Sequence, residues 1–355
     1  MRNSKLLYSV AALIGFVSST HSALALPTLL QLGLRPIHVA PAPLAYPVGE
    51  GTAVLSGMIE GGLQTVIRNS NSDLDAYSAA RLTLEYAQKQ SNGSIIGGSI
   101  TGDVTYSGLA TDDVETEVEG LVYISSPRGT LSAGYITAFE NSLSAGVLNT
   151  GHADLSYNLF LVDFSNPGLA YVFRTSSFNY QIAADRDGDV TAGVSYESPF
   201  GQLNYLASVD VYQGEVDYVH SAKNFVAGTA LRSDNWGIKG AAKFQYGSAF
   251  FGFGLGYENV DPKIGTISSD RRYFGSVGAN YKIGALKLSV AAALAEFSET
   301  DVQQLSIATG LQYHFGQGLS LNAGYNYIDT NETNSTGAVE VGDRQEVLVT
   351  LRAEF

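Results

Sequence analysis

Side chains able to do chemistry are few and scattered along this chain of 355 residues. Cysteine is absent, which removes thiol catalysis, thiolate metal sites and disulfides together. Past residue 25 the histidines are His38, His152, His220 and His314. Ser-His hydrolysis requires both side chains within hydrogen-bond reach, and no G-x-S-x-G elbow presents a serine for it. The glycine-rich GFGLG run (252–256) alternates with period two and leads into no helical pattern, so it does not read as a dinucleotide loop. What remains is a set of isolated charges among small or polar neighbours: Arg68, Arg81, Glu85, Arg128, Arg174, Lys239, Lys243, Lys282, Lys287 and Arg352. Their chemistry is electrostatic, that of a charged wall acting on ions and dipoles in the water beside it.

A charged wall needs an element that sets such residues on one face. The chain ends in EVLVTLRAEF (346–355), where Val347, Val349, Leu351, Ala353 and Phe355 share one side of an extended strand. Glu346, Thr350, Arg352 and Glu354 share the other, and only Leu348 breaks the alternation. That is the period of a β-strand. NWGIKGAAKFQY (235–246) sets Trp236, Ile238, Ala242, Phe244 and Tyr246 against Lys239, Lys243 and Gln245. FGFGLGYE (251–258), YFGSVGANYKI (273–283), LKLSVAAAL (286–294), LSIATGLQYHF (305–315) and LSLNAGYNY (319–327) follow the same plan. In the N-terminal half the strand candidates are 53–67, 76–88, 94–106, 115–126, 129–138, 168–174, 177–184, 188–197, 201–211 and 218–231. No helical stripe is present.

The first 25 residues combine Arg2 and Lys5, the apolar run LLYSVAALIGFV and a small-residue site ending at Ala25, the pattern of an export signal. Residues 26–50 hold Pro27, Pro36, Pro41, Pro43 and Pro47 and lack period, which predicts an extended or flexible lead-in. The alternating region then occupies 51–355. Removing the signal removes two basic residues, so the net charge moves from −14 to −16. A chain that acidic has no basic face for nucleic acid.

No later segment is apolar enough for a membrane helix, but a transmembrane β-barrel needs only every second residue to be apolar. Short turns such as Gly247-Ser248 and Gly284-Ala285 alternate with long acidic connections such as 258–272 and 328–345, as an up-and-down barrel requires. A soluble sandwich would also alternate. Three features favour the barrel: aromatics at the ends of the apolar faces, opposite faces of Gly, Ser and Asn with single charges, and a patterned last strand able to seal onto 53–67. The glycine-rich polar faces suggest open space inside. The expected fold is an all-β, antiparallel, up-and-down transmembrane barrel of about 16 strands, the size that leaves an aqueous channel. Phe355 is expected at its closure. Asp112, Asp113, Glu115, Glu117, Asp185, Asp187 and Asp189 fall in stretches expected as long loops. There they could hold divalent cations at a lipopolysaccharide surface, although carboxylate spacing alone defines no metal site and no cofactor is indicated.

The opening strand AVLSGMIEGGLQTV, the pair EVEGLVYISSPRGTLSAGY (117–135), the Gly-aromatic hairpins and the terminal Phe355 resemble the Gram-negative porins, especially the compact alphaproteobacterial type. The resemblance covers about residues 52–355. It implies a trimeric barrel in the outer membrane, in contact with lipid and lipopolysaccharide, that passes small hydrophilic solutes passively and is no enzyme. It also implies that the loop after the fifth strand, about 140–156, folds inward and carries Glu140 and Asp154 toward the pore. The chain departs from the family in lacking a Gly-Arg at the end of that strand and a Pro-Glu-Phe-Gly-Gly motif in the loop. Net acidity favours cations weakly. The alternatives are a non-conducting structural or adhesive barrel and a lipid hydrolase.

Overall fold

The computed structural model describes residues 43–68, 71–107, 114–135, 167–175, 177–200, 203–218, 231–262, 269–298, 303–331 and 344–355. They form β1 (Leu44–Val48), β2 (Gly51–Arg68), β3 (Asn71–Lys89), β4 (Ile95–Ser107), β5 (Val114–Ser126), β6 (Gly129–Tyr135), β7 (Pro167–Arg174), β8 (Phe178–Asp185) and β9 (Val190–Phe200). The series continues with β10 (Leu203–Tyr218), β11 (Leu231–Tyr246), β12 (Ala249–Pro262), β13 (Asp270–Ile283), β14 (Leu286–Phe297), β15 (Gln303–Gly316), β16 (Leu319–Asn331) and β17 (Arg344–Glu354). From β2 to β17 every strand pairs antiparallel with the next, and β17 pairs with β2, so 16 strands close into a barrel.

The seam is where the two ends of the chain meet. β17 lies along β2 from Arg344↔Arg68 to Glu354↔Met58. Phe355 then completes the ladder: its N–H donates to the Gly57 carbonyl at 3.0 Å, and Gly57 N–H donates to the Phe355 carbonyl at 2.8 Å. Below that point β17 no longer pairs with β2. The last part of the Pro-rich lead-in takes its place as β1, from Leu44↔Leu55 to Val48↔Gly51. β1 therefore continues the column of β17 and adds no member to the ring.

Turns alternate strictly between the rims. At the β1 end lie tight connections such as 127–128, 247–248, 284–285 and 317–318; the longer connections 136–166, 219–230 and 332–343 all belong to the opposite rim. In outer-membrane barrels the tight turns are periplasmic. Of the candidate strand 218–231, Tyr218 ends β10, Leu231 begins β11, and the stretch between lies outside the described residues. The strands also run further than expected, β12 to Pro262 and β16 to Asn331, which shortens the acidic connections.

Burial is inverted relative to a soluble sandwich. Glu60, Lys239, Lys243, Glu258, Arg272, Asn322 and Thr350 are buried, whereas Leu63, Ile100, Val118, Leu255, Val277 and Leu294 are each more than half exposed. Apolar side chains look outward because hydrocarbon, not water, is their solvent. Aromatics rim this outer face. Phe173, Tyr180, Phe178, Tyr196 and Tyr205 form a chain of ring contacts toward the tight-turn side, with centroids 4.8–6.1 Å apart. Trp236, Tyr257 and Tyr273 do the same toward the loop side. From Trp236 to Tyr246 on β11 is about 33 Å of strand, or about 25 Å of height at a typical tilt of about 40°, the thickness of an outer-membrane apolar band.

Gly62 marks the tightest point of the seam, since a Cβ there would stand 2.0 Å from the Val349 carbonyl oxygen and 2.7 Å from Thr350 Cα. Glycine in a strand interior is explained by such a close backbone approach. Gly62→Val should force β2 and β17 apart and destabilise the barrel by about 1–3 kcal/mol, the usual cost of overpacking. The check is the temperature at which the folded, fast-migrating electrophoretic form is lost; a midpoint equal to wild type would refute the seam constraint.

Candidate functional site

The register decides which residues share the inner face. Arg81 stands opposite Met58 on one side and Asp103 on the other; Asp103 in turn aligns with Glu117, and Thr101 with Glu119. The alternate residues of β5, Val118, Val122 and Ile124, are exposed on the outer face. Glu115, Glu117 and Glu119 therefore project into the barrel beside Asp103 and Glu85. This corrects the placement of Glu115 and Glu117 in a loop. Glu115 and Glu117 are exposed and Glu119 is half-buried, so this arc of inner wall is wet as well as acidic. Arg81 crosses it, its Nε donating to Asp103 Oδ1 at 2.5 Å.

Half the ring away the wall changes sign. Asp210 aligns with Lys239, Leu206 with Lys243, and Lys282 with Lys287, all on inward positions of β10, β11, β13 and β14. Lys239 stands 5.5 Å above the Tyr212 ring, and Gln181 Nε2 donates to Asp210 Oδ1 at 3.0 Å. Nearer the loop rim this sector is dry. Arg272 Nη1 donates to Glu258 Oε2, Tyr212 donates its hydroxyl to Glu258 Oε1 at 2.5 Å, and Asn235 adds a 3.3 Å bond to the same oxygen. Glu258 and Arg272 are fully buried.

The expected open space beside the glycines is partly filled. A Cβ on Gly256 would sit 2.1 Å from Phe274 Cζ, one on Gly237 2.3 Å from the Tyr212 hydroxyl, and one on Gly97 2.5 Å from Tyr123 Cζ. Each of these glycines is the direct cross-strand partner of an inward aromatic and provides the floor on which the ring lies.

At the seam Arg352 bridges Glu60 at 3.0 Å and Glu354 at 3.5 Å; Thr350 also donates to Glu60, and Asn322 does so at 3.5 Å. Further up, Arg344 holds Glu346 at 3.4 Å, Gln64 donates to Glu346, and Ser107 donates to Gln64 Oε1 at 2.8 Å.

Of the charges singled out in the sequence, Arg81, Glu85, Lys239, Lys243 and Arg352 take inward positions on the wall. Arg174 ends β7 at the tight-turn rim, and Arg128 lies in the β5–β6 turn, where its carbonyl accepts the Tyr171 hydroxyl at 2.9 Å. Arg128 is therefore a rim residue. Arg68 ends β2 opposite Arg344 at the loop rim. Glu140, Asp154 and the whole 140–156 stretch lie outside the described residues, as do Asp112, Asp113, His38, His152 and His220. His314 faces inward on β15, aligned with Ser320. Sequence reasoning passed over Asp103, Glu119, Glu60, Glu258 and Arg272, yet the alternation in VETEVEG already put three glutamates on one face. In the β8–β9 turn, outside the membrane span, burial pushes the Asp189 carboxyl above its usual range, helped by Asp185 and Asp187; the Glu215 N–H it accepts at 2.9 Å opposes the shift.

A polar, charged interior inside an apolar outer wall is the geometry of a transmembrane barrel, and the chain matches the Gram-negative porin family over residues 10–333. The chain belongs to that family. No curated protein matches it in sequence. In fold, this porin is similar to the in-vitro folded OmpT of Vibrio cholerae in its trimer form, with a TM-score of 0.65 at 15% identity, covering 86% of this chain and 99% of that one. It is similar to the anion-selective porin of Comamonas acidovorans, with a TM-score of 0.61 at 16% identity over 86% and 100% of the two chains. A mutant of the Rh. blastica porin gives a TM-score of 0.54 at 14% identity over 85% and 100%. The porin is thus a barrel of the outer membrane.

Removing one partner of a fully buried ion pair strands the other charge, at a cost of about 3–5 kcal/mol. Arg272→Ala should therefore lower the barrel's thermal midpoint far more than Arg81→Ala, whose guanidinium is half exposed. Equal effects of the two substitutions would show that the Glu258 knot contributes nothing special.

Proposed function

We propose that this porin is an open, water-filled channel for passive diffusion of small hydrophilic solutes and ions, rather than an enzyme or a closed structural barrel. One observation carries the reading: charges of opposite sign stand on opposite inner walls, with the exposed Glu115 and Glu117 and the half-buried Glu119 facing the lysines of β11, β13 and β14. A structural barrel has no use for a wetted acidic arc. Opposed walls instead set a transverse field, which orders dipolar solutes, slows apolar ones and separates cations from anions. The exposed position of the acidic arc favours cations weakly. The first 25 residues are proposed as the export signal. Among the described residues the one histidine, His314, faces the lumen, away from lipid, which disfavours lipid hydrolysis there.

The same reading includes a homotrimer. Between Tyr86 and Tyr106 the outer wall of β2 to β5 carries no aromatic, only aliphatic and small residues such as Gly61, Ala76, Ala80, Gly98, Gly102 and Gly120. Elsewhere the girdle is nearly continuous. A gap in a lipid-facing girdle fits a wall that meets other subunits instead of headgroups. Positions Gly61 and Gly102 have nothing within 4 Å of a Cβ, so a larger side chain is tolerated within the subunit itself.

Purified protein in a planar bilayer should give current steps in threes, with a reversal potential of cation sign in a salt gradient. Glu117→Gln with Glu119→Gln should move that potential toward anions; an unchanged potential would remove the acidic arc from selectivity, and silence from a folded barrel would remove the channel. Gly61→Trp with Gly102→Trp should leave the barrel folded but monomeric by native mass measurement. Intact trimers would place the subunit contact elsewhere.

A further inference from the structure

Lys282 and Lys287 are direct cross-strand partners at the periplasmic ends of β13 and β14, and both project inward. Like charges placed directly opposite each other destabilise a sheet. Neither lysine has an ion pair among the described residues. Lys287 also aligns with Gln312, whose buried amide lies on the same face. His314, two residues further along β15, lies within electrostatic reach of both lysines and of Glu354. Glu354 is the carboxylate on this side of the mouth, and it is engaged by Arg352, which also holds Glu60. Lys282 N–H donates to the Ser248 carbonyl at 3.0 Å, and His314 N–H donates to the Ala285 carbonyl at 2.9 Å, so two adjacent tight turns fix the cluster's backbone. Lys282 is exposed, Lys287 and His314 half-buried.

We infer that Lys282, Lys287, Gln312 and His314 form a subsite for a small multivalent oxyanion of the phosphate class at the periplasmic mouth of the lumen. The inference rests on the chain being a pore, since a solute must reach the inner wall. Two adjacent ammonium groups present several donors to one dianion, and its charge removes the repulsion between them. The amide of Gln312 supplies a further neutral donor. The His314 imidazole adds a ring N–H donor on the same face. The opposing groups are Glu354, held by Arg352, and the neutral Ser289, Asn280 and Ser320 on neighbouring strands. The inner-face position leaves lipid headgroups out of reach and selects a dissolved ion.

The probe is inorganic phosphate, read in two ways on the full-length folded porin: inhibition of chloride current in a bilayer, and heat of binding by titration calorimetry. The wild type should show both at pH 8, where inorganic phosphate is the dianion. Lys282→Gln with Lys287→Gln should require about tenfold more phosphate, equivalent to about 1.4 kcal/mol, while Lys282→Arg with Lys287→Arg should retain the response. A Gln variant that responds like wild type, or a conducting wild type that shows no phosphate effect and no heat, overturns the subsite. Heat of binding lost in the Gln variant, measured on a wild type that passes no current, supports the subsite and overturns the channel instead.

Discussion

Everything in this molecule depends on one constraint: in hydrocarbon no strand may keep a bare edge, because an unpaired N–H or carbonyl has no water to replace its partner. Sixteen strands satisfy it by closing, and closure fails or succeeds at a single seam. Gly62 lets β2 and β17 approach, the Phe355 backbone supplies the last two bonds of that ladder, and β1 covers the stretch of β2 that β17 cannot reach. The two ends of the sequence thus occupy one column of the sheet. The Arg352, Glu60, Thr350 and Asn322 network lies on the inner side of this same seam, so its polar cross-links span strands from both ends of the chain.

The second consequence of closure is that the sheet has only an inside and an outside, and period two assigns every residue to one of them. This is why the C-terminal strands were easy to read. NWGIKGAAKFQY and LKLSVAAAL alternate large apolar residues with small or charged ones, and each of their side assignments agrees with the register. The N-terminal half offered less contrast, being built from aliphatics, glycine and polar residues with few rings. There the strand limits are less sharply marked, and the candidate 218–231 starts at the last residue of β10 and stops at the first of β11. β1 escaped notice because five residues containing Pro47 show no period; its pairing depends on where β17 stops, which is a property of the closed ring and not of the local sequence.

The inner wall was harder to read than the outer for a physical reason. Lipid imposes one chemistry on the outer face, so apolar side chains there repeat a pattern. Inside, a residue's role depends on what stands across the strand. Glycines that suggested empty space turn out to be floors for Tyr212, Phe274 and Tyr123, because removing a Cβ opens room that a neighbouring ring then occupies. Glu115 and Glu117 looked like loop acids when counted by density, although the alternation around them placed both on a strand. Glu258 and Arg272 lie 14 residues apart with a connection between them, and only the β12–β13 register brings them together.

Arginine and lysine divide this interior between them. Arg81, Arg272, Arg344 and Arg352 each lie against a carboxylate, on Asp103, Glu258, Glu346 and Glu60. Lys243, Lys282 and Lys287 hold no ion pair among the described residues. The planar, weakly hydrated guanidinium loses less on being fixed to a carboxylate and gains directional bonds, which makes it the better fastener for a wall of paired strands. The ammonium, strongly hydrated on a flexible stem, keeps more of its charge available to water and to whatever water carries. Carboxylates taken up by arginine are neutralised locally and add little to the field at a distance. The field in the lumen is then set largely by the exposed Glu115 and Glu117 of β5 on one side and by Lys243, Lys282 and Lys287 on the other. On this account the residues that hold the barrel together and those that act on its contents are different sets, separable by substitution although they share one surface.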